Sequence, residues 1–146
     1  MKFFLEIDKE KEPTVTIVCK KVTRTVAQIE ALCREAKEDN DVVYGYFEDE
    51  IIPLNVSEIT CFFTRDNKVM ARMKGKDYVT KIRIKDVMDL VDDTFIKINQ
   101  GCVANVKLIK KFSASFGGSL RVFFEDGYSD YVSRREVSQV KRRFGL

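Results

Sequence analysis

The sequence predicts an α+β fold, mainly antiparallel β, with a β-β-α segment in front of it. Short runs rich in β-branched and aromatic residues recur from residue 42 to residue 132, turn-forming pairs separate them, and helical spacing of apolar residues occurs in only three places.

Residues 2–7 and 14–19 read as two short strands, separated by Asp8-Lys9-Glu10-Lys11-Glu12-Pro13, a charged turn. From Val26 the apolar residues Ile29, Leu32, Cys33 and Ala36 fall at helical spacing, with Glu30, Arg34, Glu35 and Lys37 on the other face. Thr25 and Gln28 stand in capping-box register. Groove insertion would bring the acidic face of this helix toward phosphates, and no partner helix lies one short turn away, so the helix is expected to pack on a sheet.

Strands are predicted over residues 42–47, 51–54, 59–64, 69–73 and 78–84, with Asp66-Asn67 and Lys74-Gly75-Lys76 as turns. Ile82 and Ile84 alternate with Lys81, Arg83 and Lys85, which sets an apolar edge against a basic one. A short helix follows over residues 85–91, carried by Val87, Leu90 and Val91. Five more strands are expected over residues 95–98, 102–106, 109–116, 120–125 and 128–132. Gly117-Gly118 and Asp126-Gly127 are pairs of the kind that close two-residue hairpins. Val137, Val140 and Phe144 mark a closing amphipathic helix, with Ser133 and Glu136 in capping-box register.

Composition removes several function classes. The chain of 146 residues contains no histidine, so Ser-His-Asp and Cys-His catalysis is impossible, and no other motif supports an enzyme. Its cysteines stand at positions 19, 33, 61 and 102, without the close spacing of a metal site; they read as buried free thiols, and neither metal nor cofactor is expected. The opening apolar run Met1-Lys2-Phe3-Phe4-Leu5 is too short for a secretory signal, and no stretch is long enough to span a bilayer, so a cytoplasmic location is expected. Residues 1–50 carry 8 basic and 12 acidic side chains, a net −4, whereas residues 51–146 carry 18 and 11, a net +7. That split fits an acidic appendage on a polyanion-binding module, and it also fits ordinary surface variation.

Two places could carry recognition chemistry. With Ser133 as N-cap, Arg134 and Arg135 fall in the first helical turn, where the macrodipole disfavours cations; a bound phosphate would relieve the misfit, and so would side chains extended into water. Lys97-Ile98-Asn99-Gln100-Gly101 interrupts two apolar runs with amides that can pair with adenine, a lysine that can reach guanine or phosphate, and a glycine that permits close approach. An ordinary turn has the same composition.

Ile52-Pro53-Leu54, Glu58-Ile59, Phe95-Ile96-Lys97, Ala104-Asn105 and Val132-Ser133-Arg134-Arg135 occur in an order and at a spacing that resemble the LytTR DNA-binding domain, over residues of about 45 to 146. The resemblance implies an elongated arrangement of small antiparallel β-sheets with short helices, and a transcription regulator that reads double-stranded DNA with loops. By match to the family pattern, the contacting positions fall on Asn67, on Lys97, Asn99 and Gln100, and on Arg134 with Arg135 beside it. Lys68, Lys97 and Lys107 are the expected phosphate neutralisers. Asn99 and Gln100 stand where the family often has His-Arg, and Gly101 replaces its usual serine, which softens two contacts to amides.

Residues 1–44 resemble the leader of compact members without a receiver domain, which implies homodimerisation or partner docking, with a small membrane protein as a partner by analogy. Two other readings compete. The basic face can dock an acidic protein, or Phe62, Phe63, Phe112, Phe116, Phe123 and Phe124 can stack RNA or single-stranded bases, although most of these rings lie in apolar strand runs.

Overall fold

The computed structural model describes residues 14–39, 42–114 and 116–146. The chain divides into two compact units, Met1–Lys37 and Glu38–Leu146. Helix α1 (Arg24–Asp39), which belongs to the first unit as far as Lys37, occupies the predicted place, but its cap lies two residues ahead of the expected one. Thr23, not Thr25, accepts from the Val26 backbone N–H at 3.3 Å through its hydroxyl. Residues 14–19 form no strand, because none of their backbone pairs in a ladder among the described residues; the strand expected over residues 2–7 lies outside those residues.

The second unit is built from hairpins. Strands β1 (Val42–Phe47), β2 (Glu50–Asn55), β3 (Ile59–Arg65), β4 (Lys68–Met73), β5 (Lys76–Val79), β6 (Phe95–Asn99) and β7 (Cys102–Asn105) make one antiparallel sheet in the order β2-β1-β5-β4-β3-β7-β6. Strands β8 (Ile109–Ala114), β9 (Leu120–Phe124) and β10 (Ser129–Val132) make a second in the order β10-β9-β8. Pro53, which cannot donate to a ladder, is accommodated in the edge strand β2. Asp66-Asn67 and Lys74-Gly75 each adopt two successive positive φ angles, the geometry of a tight two-residue hairpin whose twist matches the strands.

Two predicted hairpin closures are longer than expected. Ala114 pairs with Leu120, so Gly117 and Gly118 sit inside a five-residue connection. Between β9 and β10 the Gly127 N–H bonds to the Phe124 carbonyl at 3.1 Å and the Phe124 N–H to the Tyr128 carbonyl at 2.9 Å, which makes a three-residue loop with glycine at its left-handed position. The strand expected over residues 78–84 stops at Val79. There Thr80 turns inward and its hydroxyl donates to the Val69 carbonyl at 2.9 Å, after which helix α2 (Ile84–Leu90) begins. The predicted alternation survives without the strand: Ile82 and Ile84 are partly buried, and Lys81, Arg83 and Lys85 are exposed.

Strand alternation gives the large sheet two buried faces. On one, Cys61, Phe63, Met70, Ile96 and Ile98 pack with Leu120, Val122 and Phe124 of the second sheet and with Val140 of helix α3 (Arg134–Phe144). On the other, Phe62, Val69, Ala71, Phe95 and Val103 pack with Val87 of α2 and with Val43 and Leu54. Gly45 permits this closeness, since a Cβ there would stand 2.7 Å from both Leu54 Cδ1 and Tyr78 Cβ. The two sheets are also tied by charge. Arg72 on β4 reaches Asp77 and Asp126 at 2.8 Å each, and the Thr60 hydroxyl donates to the same Asp126 carboxylate at 3.2 Å.

Candidate nucleic-acid interface

Three segments meet at one end of the large sheet. The Thr64 N–H bonds to the Gly101 carbonyl at 2.9 Å, which sets the β3–β4 turn carrying Asn67 and Lys68 beside the β6–β7 turn carrying Gln100. The Ser133 N–H bonds to the Ile98 carbonyl at 2.9 Å, which brings the start of α3 to that same turn. Asn67, Lys68, Gln100, Arg134 and Arg135 are all exposed there.

Asn99 does not join them. Its side chain is only 4% exposed, its amide NH2 donates to Asp130 Oδ1 at 3.1 Å and to the Tyr131 carbonyl at 2.9 Å, and its Oδ1 accepts from the Gly101 N–H at 2.8 Å. With both amide hydrogens engaged, a bidentate adenine contact would have to break two internal bonds. Asn99 therefore acts as the brace that fastens the edge of one sheet to the edge of the other and shapes the turn presenting Gln100. Lys97, half-buried in β6, pairs with Val103 and lies on the face of α2 rather than of α3.

Lys107 is also separated from this end. It lies beyond β7, whose four residues span roughly 13 Å from the β6–β7 turn. Its backbone N–H donates to Asn105 Oδ1, and its charge helps hold the Asp92 carboxyl below the usual range, behind the stronger effect of the Thr94 hydroxyl and N–H. Helix α3 spans the two ends, about 16 Å by its 11 residues. Arg143 in its last turn donates to the Asp93 carbonyl at 2.8 Å. The exposed carboxylates Glu48, Asp49, Glu50, Glu58, Asp92 and Asp93 belong to the far end, where Glu58 pairs with Lys74. Among turn acids, Asp66 stands at the near one.

The start of α3 is open in a way the sequence did not predict. Ser133 is the N-cap, but its hydroxyl makes no capping bond; the Glu136 and Val137 N–H groups bond to its carbonyl instead. Gly117, at φ 81°, lies under the neighbouring arginine: a Cβ there would stand 3.6 Å from Arg134 Nη2. Arg121 and Tyr131 adjoin this end on the outer face of the second sheet, Tyr131 being 60% exposed. Period-2 alternation around the buried Leu120, Val122 and Val132 is the signal that could have found both. Arg65 is a further cation missed from sequence; it stacks over Phe63 and is paired with Asp77 at 2.8 Å.

The aromatic platform expected for single strands is mostly absent from the surface. Phe62, Phe63 and Phe124 are buried, and Phe112 and Phe123 are half-buried; the Phe116 side chain lies outside the described residues. The thiols divide. Cys61 and Cys102 are buried against each other, and that contact together with burial raises the Cys102 thiol well above its ordinary range. Cys19 and Cys33, expected to be buried, are exposed. Among the described residues, no group of side chains suits a metal, and no helix is long and apolar enough to cross a membrane.

The family model of the LytTr DNA-binding domain matches residues 49–145, which contain every element from β2 to α3 and the whole of the end just described. The chain belongs to the LytTr DNA-binding domain family. A LytTr DNA-binding domain from Bacillus cereus has the same fold, with a TM-score of 0.69 at 20% identity, over 73% of this chain and 98% of that one. A Staphylococcus aureus (strain MSSA476) protein named an uncharacterized HTH-type transcriptional regulator is 26% identical over 138 residues, 94% of this chain and 93% of its own. One of the same name from the bovine strain RF122 / ET3-1 is 24% identical over 137 residues. In this LytTr chain the helices are each separated by strands, five between α1 and α2 and five between α2 and α3, so no two described helices form a helix-turn-helix pair.

Proposed function

We propose that this chain is a non-enzymatic transcription regulator that binds specific double-stranded DNA through the loops gathered at one end of its large sheet. The observation that carries the reading is the separation of the two ends. Asn67, Lys68, Gln100, Arg134 and Arg135 are exposed together at one, whereas at the other the cations Lys74, Lys107 and Arg143 stand beside acidic residues, Glu58, Asp92 and Asp93. A duplex offers dense negative charge along its backbone and hydrogen-bonding edges in its grooves, and the first end presents cations and an exposed amide suited to both. Gln100 is the side chain suited to reading a base, since its amide is exposed on a turn that Asn99 braces. Arg134 and Arg135 supply guanidinium groups to phosphate or guanine beside the open start of α3. Lys68 supplies charge without sequence information.

Selection of bound sequences from a random duplex pool, followed by competition with single strands, tests this reading. A defined motif retained against single strands is expected, with Gln100→Ala relaxing preference at one position of that motif by about 1 kcal/mol or more. Recovery of no motif, or equal competition by single strands, contradicts it.

A further inference from the structure

The second sheet turns a face without carboxylates away from the core. Leu120, Val122, Phe124 and Val132 pack inward with Phe112, Val140 and Phe144, so strand alternation sends Lys111 and Ser113 of β8, Arg121 and Phe123 of β9, and Ser129 and Tyr131 of β10 to the other side. The register sets them in two rows, Lys111-Phe123-Ser129 and Ser113-Arg121-Tyr131. The face therefore holds cations, aromatic rings and hydroxyls but no acid, in a chain where 23 of 146 residues are acidic. An ordinary solvated face mixes charges of both signs.

Both cations are steadied without being neutralised. Lys111 Nζ lies 5.1 Å from the centroid of the Phe123 ring and the Arg121 guanidinium 5.7 Å from it, and Arg121 Nη2 donates to the Ser129 hydroxyl at 3.0 Å. Among the described residues no carboxylate pairs with either one. A cation held by a ring and a hydroxyl keeps its charge for an anion and loses less side-chain freedom on meeting one. Arg72, paired with both Asp77 and Asp126 between the sheets, has no such charge to offer.

The face also runs on from the loop end. Arg121 and Tyr131 share a row, the Tyr131 carbonyl accepts from the Asn99 amide, and β10 continues through Val132 and Ser133 into Arg134. Lys111 stands one row further away, roughly 7 Å along the strands. We propose that this face holds the phosphate backbone of the duplex outside the segment that the loops read, with Arg121 and Lys111 as neutralising groups and the Ser113 and Tyr131 hydroxyls as further donors. The inference rests on the DNA-binding reading and adds to it a contact area that carries no sequence information. Continuity decides the occupant, because one charged polymer passing the loop end meets this face next.

Titration of the full chain with two duplexes across a range of salt tests the proposal, one duplex trimmed to the selected motif and one carrying about ten further base pairs on each side. On the longer duplex, Lys111→Ala with Arg121→Ala in the same chain should weaken binding and flatten the slope of log affinity against log salt by about 2, one for each charge. On the trimmed duplex variant and parent should bind alike, and the motif that the variant selects should be the parent's. Arg121→Lys, which keeps the charge, should retain the parent's slope on the longer duplex. A double variant with the parent's slope there, while Arg134→Ala still weakens binding, overturns this proposal and leaves the loop reading standing. Equal losses on both duplexes overturn the placement of the face outside the motif. A chain that selects no motif overturns the loop reading and this inference with it.

Discussion

The two ends of the β6–β7 hairpin are made from similar materials and do different things. Each has an asparagine whose Oδ1 accepts the backbone N–H two residues on, from Gly101 at one end and from Lys107 at the other. Each asparagine is buried and donates its amide NH2 across the sheet, Asn99 toward β10 and Asn105 to the Ser57 and Ile59 carbonyls. The difference lies in what stands next to the brace. Beyond Asn99 the chain exposes Gln100 near Lys68 and Arg134; beyond Asn105 it exposes Lys107 near Asp92. Braces of one kind hold both turns, and the proposed DNA-facing end is set apart by the exposed groups around its brace, Gln100, Lys68 and Arg134.

The largest expected effect concerns the brace itself. Asn99→Ala would leave the Gly101 N–H and the Tyr131 carbonyl without their side-chain partner, a loss of about 2 to 3 kcal/mol in stability by urea unfolding. An unchanged unfolding midpoint would return Asn99 to the list of free reading groups. Arg134→Ala is expected to leave folding intact and to weaken binding to the selected duplex by at least about 1 kcal/mol, measured by titration at fixed salt. Equal affinity of variant and parent would remove Arg134 from recognition and weaken the contrast between the ends.

The smallest effect belongs to the far end and is read in pH. The Thr94 hydroxyl and N–H bonds hold the Asp92 carboxyl below its ordinary value in the folded chain. Its contribution to stability is thus present above the unfolded carboxylate range and is lost as pH falls through the depressed folded value. Asp92→Asn should lower stability at neutral pH, and the gap between variant and parent should narrow below about pH 4. A gap that widens on acidification would contradict the assignment.

How far the sequence revealed this arrangement differs from residue to residue. The β-rich runs over residues 59–64 and 69–73, and the Asp66-Asn67 and Lys74-Gly75 turns, made the strands of these hairpins legible, because both signals are local. Asn99 and Gln100 were indistinguishable, being adjacent amides before a glycine; only the closure of β6 against β10 buries one and exposes the other. Lys107 looked equivalent to Lys68 because spacing along a chain does not record which end of a strand a residue occupies. Cys19 and Cys33, read as buried because cysteine is among the residue types most often buried, are exposed.

The salt dependence of duplex binding in Lys68→Ala and Lys107→Ala tests most directly which end meets DNA. Both changes remove one positive charge from the same chain, so any difference reflects position. The account predicts that Lys68→Ala flattens the slope of log affinity against log salt by about 1 and weakens specific and random duplex alike, whereas Lys107→Ala leaves the slope unchanged. A flattened slope in Lys107→Ala with an unchanged one in Lys68→Ala would place the duplex at the opposite end and contradict the account.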